Sequence, residues 1–342
     1  MRGEPSILGD EVQPAVPSVF GKMEDFTTRT GTIEPTFNST GRRRWLARWM
    51  TQEARSLVAR VLVNRIWQAH FGEGLVATEN NFGVMGKRPS HPELLDHLAA
   101  ELIRSGWSVK ALQRLIVNSV TFRRSSTWNA HAAKLDPDNT LLWRWSSRRL
   151  EAEMVRDSVL WVSGRLNLER SGPSIYPKVP KAVLAGQSRP GENWEGSEED
   201  QALRRSIYIF IKRSLVVPEL EVLDAPDTTS SCEQRRVSTT GPQALIFLNG
   251  DFMQEQARHF AGRLQRESGQ GLEKQVSRAF QMALAREPES AELSAAQDFL
   301  VRQQRQIESE ESSAAQAESA ELRALQSFCL TLLNTNEFFY LN

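Results

Sequence analysis

Cysteine is nearly missing from this chain: Cys232 and Cys329 are the two residues of that type in 342, and they stand 97 positions apart. That spacing excludes a paired-cysteine metal or redox motif and a disulfide scaffold, while leaving open whether the two join in one bridge. No apolar run approaches the ~20 residues that a membrane-spanning helix requires, so a helical membrane protein is excluded. Net charge is also lacking, because 42 basic side chains balance 42 acidic ones. Lysine is scarce, with 8 residues against 34 arginines. An arginine-dominated set of cations favours forked pairing with carboxylates and stacking on aromatic faces over point-charge contacts.

Several chemical signatures are missing as well. No glycine-rich phosphate loop and no G-x-S-x-G elbow occurs. Asn80-Asn81-Phe82-Gly83 is superficially like the D-F-G of a kinase, but no catalytic H-R-D accompanies it. There is no C-x-x-C-H, the signature through which haem is attached covalently, and no cofactor is expected in this chain. The amino end has no apolar stretch of the kind that directs export. On that ground the expectation is either a cytoplasmic protein or one whose upstream part is missing.

What is present is helix-forming pattern. Length and a hydrophobic content of 40% suit a mainly α-helical, multi-helix globular protein with long irregular loops. Residues 1–40 carry Gly, Pro and Thr without periodicity and read as an extended lead-in. A Trp- and Arg-rich helical region over 41–170 follows, then a Gly/Pro-rich loop over 171–200. A strand plus helices are expected over 201–342, continuous as one domain with 41–170. Trp45, Trp49 and then Val58, Val61, Leu62, Ile66 and Trp67 have helical spacing, with Gly72 as a stop. Ser90 and Glu93 suggest a capping box before Leu94, Leu95, Leu98 and Leu102. Further helices are expected over 148–168, 242–264, 272–285, 289–309 and 318–334. Eight of the nine tryptophans fall between Trp45 and Trp161, where the densest core is expected. Ile207 to Ile211 is apolar on both faces and reads as a buried strand, paired near Leu220 to Leu223 in one small β element over 206–223.

Two polar sets are the candidate sites. Asp224, Asp227, Arg235, Arg236, Ser238 and Gln243 are close in sequence, and the two aspartates are suited to orienting the arginines around a carboxylate, a sulfate or a sugar. The plainer reading is an Asp/Arg network that pins a long loop leading into a helix near Pro242. A second, weaker set is Arg65, His70, Asn80 and His91. His70 and Glu73 are one turn apart, as two metal ligands can be, yet a helix-terminal imidazole more often bonds its own helix and offsets the dipole. No metal is expected. The abundance of Arg and Trp raises nucleic acid as a partner, but the arginines alternate with core residues and no binding-module signature occurs, so that partner is disfavoured.

Several segments together resemble a known family. Val63-Asn-Arg-Ile-Trp67, His70-Phe-Gly72, Pro89-Ser-His-Pro-Glu-Leu-Leu-Asp96, Gly106-Trp107-Ser108, Arg148-Arg-Leu-Glu-Ala-Glu153, Asp224-Ala-Pro-Asp227 and Pro242-Gln-Ala-Leu245 are similar to the planctomycete-type C-terminal domain of unknown function that stands behind cytochrome-c-like modules in large exported proteins. The likeness runs over essentially the whole chain, and Arg2-Gly3-Glu4-Pro5 resembles that domain's opening. It departs at Ala69, Glu79 and Asn81, where a second His, a Pro and an Asp are usual. The resemblance implies a periplasmic or cell-surface protein, a cytochrome-c-like neighbour and a link to polysaccharide use. It implies no reaction. The expected function is therefore a noncatalytic interaction or scaffold module. The alternatives are a glycan-directed hydrolase or lyase near Arg235 and Arg236, and nucleic-acid binding.

Overall fold

The computed structural model describes residues 9–10, 15–17, 20, 33–269, 271–310 and 319–341. Most of the lead-in expected over 1–40, including the Arg2–Pro5 likeness, lies outside the described residues. The protein is mainly α, and the chain divides into two compact units, Met1–Ser146 and Ser147–Asn342.

The first unit contains α1 (Arg42–Gln52), α2 (Arg55–Phe71), α3 (Pro92–Arg104), α4 (Val109–Val117) and the short α5 (Ala130–Leu135). Trp45 and Trp49 are the buried residues of α1, while Arg42, Arg43, Arg44 and Arg48 face solvent. Helix α2 buries Ala59, Val63, Ile66 and Trp67 against Leu95, Leu98 and Leu102 of α3 and Leu112 and Ile116 of α4. It ends where expected, at Gly72, whose φ of 89° suits a residue without a Cβ. Helix α4 starts at Ser108, whose side chain accepts the Ala111 amide at 3.3 Å.

The capping box expected at Ser90 does not form. His91 is the N-cap, Pro92 occupies the first helical turn, and no side chain caps the helix. The Ser90 hydroxyl instead donates to the Leu75 carbonyl at 3.3 Å. Proline fixes the entry angle and lacks an amide, so the helix starts one residue later than the serine requires.

The second unit opens with β1 (Arg148–Arg149) and α6 (Ala152–Ser163), then the short α7 (Lys181–Ala185) and α8 (Glu199–Ala202), a 3₁₀ turn (Ser206–Tyr208) and α9 (Pro218–Glu221). It continues with α10 (Gly241–Asn249), α11 (Asp251–Ser268), α12 (Leu272–Leu284), α13 (Ser290–Glu310), α14 (Ala320–Leu333), α15 (Asn336–Phe339) and β2 (Tyr340–Leu341). β1 and β2 pair antiparallel, Arg148 opposite Leu341 and Arg149 opposite Tyr340. Helix α11 packs against α14 and α6, and α13 lies along α14. The helix expected over 242–264 is two, separated at Gly250, where a Cβ would come within 2.4 Å of the Ile246 carbonyl oxygen.

Three expectations are corrected here. The largest core is in this unit, around Phe260, Leu264, Val276, Leu325 and Leu333, and it contains one tryptophan, Trp194. The expected Trp-rich core is smaller, and Trp128 and Trp161 are 62% and 59% exposed. Tryptophan is large and amphipathic, so its number does not locate the interior. Residues 207–211 are not a buried strand either: Ile207 and Ile211 are 75% and 73% exposed. Ser206 is bound through its amide and hydroxyl to the Asp157 carboxylate, both at 2.7 Å, which turns the backbone into a 3₁₀ conformation. The run then makes an isolated bridge to Ile175 rather than a ladder. The pairing partner expected at 220–223 lies in and after helix α9, with Leu220 and Leu223 in the core.

The Gly/Pro-rich segment 171–200 is held from within. Arg204, 1% exposed, lies 4.1 Å from the centroid of the Tyr208 ring. Its guanidinium donates to the carbonyls of Glu169, Ser171 and Pro173. The Tyr208 hydroxyl in turn accepts the Ser171 amide at 3.0 Å. One buried arginine thus satisfies three backbone acceptors at the entry to a segment that has no ladder of its own.

Candidate functional site

The six residues of the first polar set divide into a network and outliers. Asp224 sits just after α9 with φ of 61°, a left-handed conformation that aspartate tolerates better than most side chains. Its Oδ2 accepts Arg149 Nη2 at 2.6 Å and the Ser238 amide at 2.9 Å, and its Oδ1 accepts the Ser238 hydroxyl at 2.7 Å. Gln243, buried in the first turn of α10, donates from Nε2 to Ser238 Oγ at 3.2 Å and accepts the Thr240 amide at 3.1 Å. Burial opposes ionisation of Asp224, but the bonds from Ser238 and Arg149 outweigh it and hold the carboxyl below its usual range.

Asp227 is elsewhere. Its carboxylate turns back onto Thr229 and Ser230. Arg235 is clasped by Glu153 of α6, with Nη1 to Oε2 at 2.6 Å and Nη2 to Oε1 at 3.1 Å. Burial lowers the Arg235 pKa, but Glu153 more than compensates and raises it overall. Arg236 is exposed and makes no hydrogen bond or ion pair among the described residues. The aspartates therefore do not orient Arg235 and Arg236. The partners that matter are Arg149 and Glu153, both in the Arg148–Glu153 block, and their sequence distance of 75 and 82 residues hid the pairing. The arrangement closes on itself, with Arg149 also donating to the carbonyls of Leu223 and Ser238.

The second set is likewise divided. Arg65 Nη2 donates to Asn80 Oδ1 at 3.2 Å. His70 Nδ1 lies 2.7 Å from the Ile66 carbonyl of its own helix and its ring stands edge-on to Phe122. His91 Nδ1 is 3.0 Å from Ser90 Oγ. Among the described residues no group of three or more His, Cys, Asp or Glu converges as metal ligands do. Asn64, one residue from Arg65, is fully buried and was not singled out in the sequence. Its amide bridges the Val76 backbone, accepting the amide at 2.8 Å and donating to the carbonyl at 2.9 Å.

A larger feature escaped both sets. A groove of about 800 Å³ in the second unit is lined by Leu150, Met154 and Trp161 of the β1–α6 region, Leu168, Met282 and Leu341. Met154, Trp161, Leu168 and Leu341 are 50%, 59%, 57% and 40% exposed. The charged residues on its walls are occupied: Asp157 lies 3.5 Å from Arg205, and Glu337 lies 2.7 Å from Arg286. Met154 and Trp161 are seven residues apart on α6, a helical spacing that puts them on one face.

No helix among the described residues is long and apolar enough to cross a membrane. Neither the curated proteins nor the solved structures contain a match to this chain. A family model matches residues 42–300, which takes in α1 to α12 and part of α13. The chain belongs to the PSD1 family, described as a protein of unknown function (DUF1553).

Proposed function

We propose that this chain is a noncatalytic interaction module whose apolar groove receives an uncharged, apolar segment of a partner protein. The observation that carries this reading is the exposure of Met154, Trp161, Leu168 and Leu341 along one groove. Contiguous apolar surface in contact with water marks a binding site more often than scattered hydrophobic residues do. Tryptophan and methionine are also enriched at the centres of interfaces. Because Asp157 and Glu337 already have arginine partners, an occupant needs to bring no charge.

On the likeness to exported proteins, we propose a cytochrome-c-like module as that partner and a position outside the cytoplasm for the protein. A hydrolase or lyase at Arg235 and Arg236 draws no comparable support, since Arg235 is spent on Glu153 and Asp227 on its own loop. Nucleic-acid binding draws none either, the net charge being zero.

The test is retention of a purified cytochrome-c-like fragment on the immobilised full chain. Saturable binding that survives moderate salt and weakens at least ten-fold in a Met154→Ser, Trp161→Ser double variant is expected, with Arg236→Ala unchanged. Loss of binding at moderate salt, or full binding by the double variant, overturns the proposal.

A further inference from the structure

A second cavity, about 330 Å³ in the first unit, is independent of the groove reading and has a different chemistry. Its apolar wall is Trp128 and Trp143, ring centroids 5.7 Å apart and near perpendicular. Trp128 is 62% exposed although the Arg144 guanidinium lies 5.2 Å from its ring centroid and from that of Trp143. Arg144 and the edge-to-face contact brace the indoles, so the exposed ring surface is a fixed platform rather than a loose side chain. Trp143 is pinned besides by its Nε1, which donates to the Asp136 carbonyl at 2.9 Å.

The rest of the wall is polar. Ser125 and Thr127 share a hydrogen bond at 2.6 Å, and Asn129 uses its Oδ1 on the amides of His131 and Ala132, which leaves its Nδ2 as a donor. Arg124 spends one nitrogen on the Trp143 carbonyl at 3.2 Å and has no carboxylate partner among the described residues. No acidic residue lines the cavity. An aromatic face beside hydroxyl, amide and guanidinium groups suits a ligand with one apolar face and a rim of hydroxyls, which is the chemistry of a pyranose ring. The guanidinium without a counter-charge adds a preference for an anionic substituent on that ring, bound as a fork.

We infer that this cavity is a binding subsite for an acidic sugar, with the ring stacked on Trp128 and its carboxylate or sulfate paired with Arg124. The test uses the full chain and uronate trisaccharides of galacto, gluco and manno configuration, each with its methyl ester, in which the same ring carries no charge. Binding is followed by calorimetry and by saturation transfer to the sugar protons. At least one uronate is expected to bind saturably and at least five-fold more tightly than its ester. Trp128→Ala should weaken it at least ten-fold, Trp128→Phe less, and Arg124→Gln should abolish the preference for acid over ester while leaving ester binding in place. Trp128 is exposed, so these variants should keep the wild-type melting temperature, which is checked for each. No saturable binding by any trisaccharide overturns the inference. Equal affinity for acid and ester, or wild-type affinity in Trp128→Ala, does so as well.

Discussion

Arg149 and Asp224, 75 residues apart, meet through Nη2 and Oδ2 at 2.6 Å, and their side chains are 6% and 22% exposed. That pair ties the start of the second unit to the loop between α9 and α10. Removing Arg149 leaves the Asp224 carboxylate without its cation and takes a donor from the Leu223 and Ser238 carbonyls. Arg149→Met is expected to destabilise the protein by about 3–5 kcal/mol in urea denaturation. Asp224→Ala should cost about 1 kcal/mol more than Asp224→Asn, because asparagine still tolerates the left-handed backbone. Equal midpoints for these two variants would contradict the strained turn.

Glu219 titrates in the opposite sense from a salt-bridged carboxylate. Burial raises its pKa, and the bonds and the Arg156 charge that favour ionisation do not cancel the effect. Its folded pKa is above the unfolded value of about 4.3. Its favourable contribution is therefore complete below that value and is lost as pH rises through the folded pKa. Glu219→Gln should remove this loss, so the variant gains stability relative to wild type between pH 4 and pH 8. A constant difference across that range would show that burial does not raise the Glu219 pKa.

Glu292 behaves conversely. Two hydrogen bonds from Arg286 and one from the Glu289 amide hold its pKa at about 2. Its contribution is present above the unfolded pKa and is lost as pH falls from there through about 2. Glu292→Gln should flatten the acid limb of a stability profile, and unfolding curves collected from pH 5 down to pH 2 provide the check.

Ile207 and Ile211 test the corrected conformation. In a buried strand each Ile→Ser change would cost several kcal/mol, but at their observed exposure each should shift stability by no more than about 0.5 kcal/mol. Thermal melts of Ile207→Ser and Ile211→Ser distinguish the two cases.

In the first unit, Asn64→Asp keeps the size of the side chain but removes the donor to the Val76 carbonyl. A loss of about 1–3 kcal/mol is expected from the buried acceptor left unmatched. The same bridge makes Gly74→Ala costly, since a Cβ there would lie 2.6 Å from Asn64 Nδ2. Chemical denaturation of both variants measures these effects.

Helix positions were readable locally because apolar spacing and Gly72 act within one or two turns. Thus α2, α12 and α14 lie close to where their periodicity puts them. The polar sites were legible as residue types but not as partnerships. Ser238, Gln243 and Asp224 do gather, but the cation that completes them is Arg149 rather than Arg235 or Arg236. Nor does local pattern tell which of two apolar faces is covered. Met154 and Trp161 have the spacing of core residues yet border an open groove, while Ile207 to Ile211 has the composition of a buried strand yet lies largely in water.

The amino-acid sequence by itself determined the mainly helical class, the helix stop at Gly72 and the balance of charge, because each depends on neighbours a few residues away or on composition alone. Only the tertiary structure decided which arginine meets which carboxylate, which tryptophans remain open to solvent, and where a two-residue strand finds its partner. Those outcomes depend on groups brought together from segments 75 to nearly 200 residues apart, whose proximity is set by packing and leaves no trace in local periodicity.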